Sequence, residues 1–151
     1  MTSSLGPGGL GPGANLPRRP AHSPGNVEVV REIYRSFRAR DYEGGLALLD
    51  PGIEVRDRPE VPDPRVYRGH DGVLDSLGAT QAAFDELDLV PEAFMPAGDT
   101  VVVVLGFRGR GRGSGVPVDE ELCHRWTVRD GLATGLAVFS TRDDALRAAE
   151  R

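Results

Sequence analysis

The apolar residues of this chain settle into strand period beyond residue 86, and that change limits the folds open to it. Before it the spacing is helical, apart from one short strand-period run at Ile53 to Pro59. Val30, Ile33, Tyr34 and Phe37 recur at i, i+3, i+4 and i+7, one stripe on a helix capped by Asn26 and ending near Arg40-Asp41. Tyr42 to Asp50 reads as a second short helix stopped by Pro51-Gly52. Gly69-His70-Asp71-Gly72 opens a third, with Val73, Leu77, Thr80 and Phe84 along one side. Beyond residue 86 come four runs in strand period. They are Leu87 to Met95, where Pro91 predicts an edge or a bulge, then Thr100 to Phe107, Val116 to Val128 and Leu132 to Ser140. Arg129-Asp130-Gly131 is a hairpin signal between the last two, and Thr141 with Asp144 predicts a capped closing helix to Glu150. Consecutive strands joined by short turns pair antiparallel, and helices that precede them pack on one face. The pattern predicts an α+β domain, an antiparallel sheet with a helical cover and a pocket between them.

The first 25 residues are built from Gly, Pro, Ser and Leu and bury too little apolar surface to offset their ordering entropy. We therefore expect a disordered tail over 1–25 and one folded domain over 26–151. A formal net charge of −5 argues against a nucleic-acid partner, which needs a concentrated basic face. The run Arg108-Gly109-Arg110-Gly111-Arg112-Gly113-Ser114-Gly115 is short, lacks interleaved aromatics and joins two strands, so it reads as a hairpin. No apolar run approaches the roughly 20 residues of a membrane span, and no secretory signal is legible. A single cysteine, Cys123, suits a reducing compartment, and the expectation is a cytoplasmic protein without a membrane partner. Three histidines and one cysteine at scattered positions show no metal-ligand spacing, and no phosphate-loop ending is present, so no cofactor is indicated.

The chemistry-bearing stretch is Ile53-Glu54-Val55-Arg56-Asp57-Arg58-Pro59. In an extended chain Ile53, Val55 and Asp57 share one face, so an apolar row ends in an acid. Such an acid is paired, hydrogen-bonded or functional, and both readings stand: a base in an apolar pocket, or a structural acid held by Arg56, Arg58, Arg68 or a helix start. His124 shares a strand face with Leu122, Trp126 and Val128, while Cys123 faces the other way. His124 is thus either a proton carrier or donor toward a ligand, or a satisfied core histidine. Tyr34 and Trp126, with Phe37 and Val55, are candidate pocket walls, and His70 at a helix start reads as a cap.

Several segments in order resemble the nuclear transport factor 2-like superfamily, in its SnoaL-like branch of polyketide-cyclase and ketosteroid-isomerase relatives. They are Val30 to Tyr34 with Ala39 to Tyr42, Leu48-Leu49-Asp50-Pro51, Val55-Arg56-Asp57, Tyr67 to Gly72 and Trp126 to Gly131. The resemblance implies a curved antiparallel sheet wrapped around three helices, a cone enclosing a pocket, and a homodimer formed through the outer sheet face. It implies a small hydrophobic, carbonyl-bearing or polycyclic ligand. It places the general base of the isomerase relatives at Asp57 and their strand-borne hydrogen-bond donor at His124. Their first-helix tyrosine aligns nearer Ile33 than Tyr34, a departure from the pattern. The fold hosts enzymes, ligand binders and assembly modules alike. The expectation is therefore a proton-transfer enzyme of the isomerase or cyclase kind, with a non-catalytic ligand-binding or dimeric accessory domain as the alternative.

Overall fold

The computed structural model describes residues 24–149. The expected tail lies outside them except for its last two residues. In chain order the elements are α1 (Pro24–Arg38), α2 (Tyr42–Leu46), β1 (Leu49–Arg56), β2 (Val66–Arg68) and α3 (Gly69–Ala83). There follow β3 (Phe84–Ala97), β4 (Thr100–Gly111), β5 (Pro117–Arg129), β6 (Leu132–Phe139) and α4 (Arg142–Ala149).

The strands form one sheet in the order β2-β1-β6-β5-β4-β3. From β3 to β6 the chain meanders, and every neighbouring pair is antiparallel, as tight turns require. Only β1 runs parallel to its neighbour, β6. The two are separated by the whole meander, so no tight turn dictates their direction, and the sheet is mixed. Pro91 lies in the edge strand β3, where its missing N–H costs no ladder bond, and the register slips between Pro91 and Ala93.

Several elements differ from expectation at their ends: α3 stops at Ala83, so Phe84, expected on that helix, opens β3 instead. Asn26 is 7% exposed inside the first turns of α1, which begins two residues earlier at a proline that needs no N–H partner there. The second helix stops at Leu46, and Leu49-Asp50 already belong to β1. A register shift between Leu49 and Glu54 absorbs Pro51-Gly52, so these two residues bend a strand instead of ending a helix. The short β2 carries no alternation long enough to read, and it forms because β1 offers it an edge.

The two sheet faces have separate cores. On the inner face Ile53, Val101, Val103, Leu105, Trp126 and Val128 pack with Val30, Ile33 and Tyr34 of α1. On the outer face Val102, Val104 and Cys123 lie beneath Ala145, Leu146 and Ala149 of α4. Helices therefore cover both faces, not one. The closing helix has the expected cap, the Asp144 backbone N–H donating to Thr141 Oγ1 at 3.2 Å.

The arginine-glycine run is a hairpin with its charges answered. Arg108 lies between Glu92 and Asp119, Arg110 meets Glu86, and Arg112 meets Asp85. Arg112 also donates to the carbonyls of Gln81, Ala82 and Phe84, satisfying the bare end of α3. His70 does not cap α3. Its Nε2–H donates to the Leu49 carbonyl at 2.9 Å, tying the start of that helix to β1.

Glycine positions give a paired test of this packing. A Cβ on the buried Gly45 would stand 2.5 Å from the Phe37 ring, whereas one on Gly78, within α3, would meet nothing within 4 Å. Urea unfolding should show Gly45→Ala losing about 1–2 kcal/mol from overpacking. Gly78→Ala should gain about 0.5–1 kcal/mol from helix propensity alone. Equal effects at the two positions would contradict the α1–α2 packing.

Candidate functional site

Two strand rows cross the inner face and bring the polar groups together. One row holds Pro96, Val101, Trp126, Leu136, Val55 and Tyr67 across β3, β4, β5, β6, β1 and β2. The next holds Phe94, Val103, His124 and Val138. Tyr34 reaches this face from the apolar stripe of α1 and is 9% exposed. Its ring stacks on His124 at 5.9 Å and meets Trp126 and Phe94 edge-on at 5.8 Å and 6.1 Å. The helical and strand periods have thus converged on one small aromatic box.

Inside the box the polar atoms form a chain. Trp126 Nε1–H donates to the Tyr34 hydroxyl at 2.8 Å, and that hydroxyl lies 2.7 Å from His124 Nδ1. The cluster needs this chain, because a buried indole N–H or phenol left unsatisfied costs about 1–3 kcal/mol. Burial also sets the charge states. It holds the His124 pKa down to about 4, since no carboxylate stands by to stabilise the cation. It pushes the Tyr34 phenol well above its ordinary value, against the opposing hydrogen bond from Trp126. Both rings are neutral at pH 7.

Asp57 lies outside the box, one residue past the end of β1, whose parallel ladder closes with Arg56 opposite Ala137. The Asp57 N–H donates to the Arg65 carbonyl at 3.0 Å, and Asp57 Oδ2 accepts the Arg65 N–H at 3.0 Å. The carboxylate thereby closes the Pro-rich loop between β1 and β2. Its second oxygen has no protein partner among the described residues.

Of the other sequence candidates, Val55 is buried in the Trp126 row, one strand beyond Leu136. Phe37 lies elsewhere, packed against Tyr42 at 5.9 Å and over Gly45 in the α1–α2 contact. Cys123 sits on the outer face, where burial raises its thiol pKa and the nearby Glu121 adds to that, so it cannot serve His124. Phe94 is the member of the box that sequence reasoning missed. Its signal was available, since a phenylalanine three residues past Pro91 returns the edge strand to an apolar face, but the bulge hid the parity. Two surface cavities, of about 230 Å³ beside α4 and about 480 Å³ between β2 and α3, do not touch the box. Among the described residues no cluster of His, Cys, Asp or Glu could hold a metal ion, and no helix is long and apolar enough to cross a membrane.

The depressed pKa makes a titration the direct test of the box. By NMR, His124 should stay neutral until the pH nears about 4, against about 6.5 for an unfolded histidine. Because the native pKa is the lower one, the unfolded chain takes up the proton first as the pH falls. His124 thus contributes stability above pH 6.5 that is lost between 6.5 and 4, with a slope approaching about 1.4 kcal/mol per pH unit. His124→Gln should flatten that part of the stability curve. An unchanged curve would place the imidazole in water.

The SnoaL-like domain model matches residues 30–136. No curated protein matches the chain in sequence. Among solved structures, TerC co-crystallised with polyporic acid is 26% identical with a TM-score of 0.68, covering 84% of this chain and 99% of that one. An NTF2-like protein of unknown function from Burkholderia pseudomallei is 25% identical with a TM-score of 0.67, covering 84% and 98%. A putative SnoaL-like polyketide cyclase from Jannaschia sp. CCS1 shares the fold at 23% identity and a TM-score of 0.68, covering 89% and 96%. With the family model matched over well more than half its length, the chain belongs to the SnoaL-like domain family, on the nuclear transport factor 2-like fold.

Proposed function

We propose that this protein binds a small hydrophobic, carbonyl-bearing or polycyclic molecule on the inner sheet face and moves a proton on it without a cofactor. The observation that supports this most is a neutral, partly buried imidazole hydrogen-bonded to a phenol that an indole holds in turn. His124 is the group that polarises the ligand carbonyl, and Asp57 is the base that takes a proton from the adjacent carbon. A base on one side of a flat molecule and a hydrogen-bond donor on the other is the minimum that enolisation needs. The absence of buried acids near His124 keeps it neutral and so able to act at pH 7. The working assembly in this reading is a cytoplasmic homodimer.

A specific observation favours the alternative of a binding or accessory domain without catalysis. One Asp57 oxygen is already engaged by the Arg65 N–H, which suits a structural acid. Two measurements on one set of ligands separate the readings. Polyporic acid, the compound in the TerC structure, and neutral polycyclic ketones are titrated calorimetrically, and solvent-deuterium exchange beside the carbonyl is followed by NMR. His124→Phe should weaken binding about tenfold or more, the loss of one buried hydrogen bond. Asp57→Asn should leave binding within a few-fold but slow exchange by about 10²–10⁴. Binding with no exchange in the wild type would establish the accessory reading. Exchange that survives in Asp57→Asn would remove Asp57 from the chemistry.

A further inference from the structure

We infer that Trp126 is a positioning residue which, through Tyr34, holds His124 as the tautomer with its proton on Nε2, so that the ligand atom facing His124 is a hydrogen-bond acceptor. The clause about the ligand rests on the function proposed above. The clause about the tautomer rests on the atoms of this chain alone.

The deduction is one of counting protons. An indole nitrogen can only donate, so the 2.8 Å contact from Trp126 Nε1 makes the Tyr34 oxygen an acceptor. Tyr34 has one proton of its own, and the only other polar neighbour of its hydroxyl among the described residues is His124 Nδ1, at 2.7 Å. That proton therefore points to Nδ1, which must offer a lone pair. A neutral imidazole with a bare Nδ1 carries its hydrogen on Nε2.

The opposite assignment fails on the same count. With the proton on Nδ1, the Tyr34 oxygen would receive two donors, and its own O–H would be left without an acceptor in a residue that is 9% exposed. Nor can the imidazole escape by charging. The rings in contact with it are those of Tyr34 and Trp126, with Val103 and Val138 beside it on the sheet, and no acid is among them.

The consequence reaches the ligand. Within the Trp126–Tyr34–His124 relay Nε2–H is the one donor left unspent, because Trp126 and Tyr34 have both used their protons inside it. A carbonyl, an enolate or a phenolate oxygen can meet it, and a hydroxyl can do so only through its oxygen. His124 is thereby removed from service as a base, which leaves that role to a carboxylate. Trp126 touches no ligand in this scheme. It acts at two removes, by filling the acceptor site of the Tyr34 oxygen that Nδ1–H or a water would otherwise take.

Long-range ¹H–¹⁵N NMR of the uniformly labelled full chain, without ligand, reads the tautomer of His124 directly. The wild type should show Nε2 protonated in about tenfold or greater excess, from the count of satisfied donors. Trp126→Phe frees the Tyr34 oxygen to accept from Nδ1–H and leaves a space beside it where water can accept the Tyr34 O–H, so the spectrum should move to a mixture of tautomers. Tyr34→Phe removes the acceptor and the donor together and should also lose the single pattern. A wild type protonated on Nδ1, or an unmixed Nε2–H pattern in a folded Trp126→Phe, overturns the inference. If Trp126→Phe does not fold, the wild-type spectrum and Tyr34→Phe still decide it. Addition of a polycyclic ketone then tests the ligand clause separately. Movement of the Nε2 resonance supports it. An Nε2–H tautomer that no carbonyl compound perturbs leaves Trp126 as a positioning residue and sinks the proposed function instead.

Discussion

A phenol lying between a helix and a sheet must have both its proton and its lone pair answered, and the interior of this molecule is arranged around that requirement. Tyr34 stands on the buried stripe of α1, and the two groups that satisfy it, Trp126 and His124, stand on alternate residues of β5. Alternate residues of a strand lie about 6.6–7 Å apart along one face, so a single hydroxyl above the midpoint can reach both. This fixes the position of α1 over the sheet more tightly than apolar contact alone. Hydrophobic burial is indifferent to small slides, whereas two hydrogen bonds under 3 Å are not.

The same requirement explains why the site is neutral. A protein of formal charge −5 with many arginines could have placed an ion pair in the interior. Its charges instead pair on the surface, along β3, β4 and β5 and around the loop after β1. Exposed pairs of this kind add little stability each, but they keep charge away from the box. Burial keeps the imidazole uncharged, and a neutral imidazole still has one N–H to donate to a carbonyl. Asp57 stands outside the box, where its carboxylate accepts the Arg65 N–H.

The comparison of sequence and structure is sharpest at residues whose partners are remote. Periodicity was enough to set Val30, Ile33, Tyr34 and Phe37 on one helix face and His124 and Trp126 on one strand face, opposite Cys123. It could not separate Tyr34 from Phe37, which are one helical turn apart. The first meets β5, and the second turns to Tyr42 and Gly45 because α2 folds back beneath α1. Nor could it foresee that Leu49 to Gly52 would be strand. A bulge that accommodates Pro-Gly exists only because β6 is there to pair with on either side of it.

What the chain determined by itself was therefore everything that depends on local period and turn chemistry. That covers the α+β class, the edge placement of Pro91, the hairpins, the cap at Thr141 and the side of the sheet on which His124 and Trp126 lie. Tertiary structure alone decided the parallel union of β1 with β6, the crossing of α4 to the outer face and the hydrogen-bond chain through Tyr34. The physical reason is the range of the forces involved. Side-chain parity follows from backbone geometry over a few residues, and it can be read along the sequence. The two hydrogen bonds that join Tyr34 to His124 and Trp126 span about 90 positions of chain, and only the folded sheet brings those atoms within 3 Å.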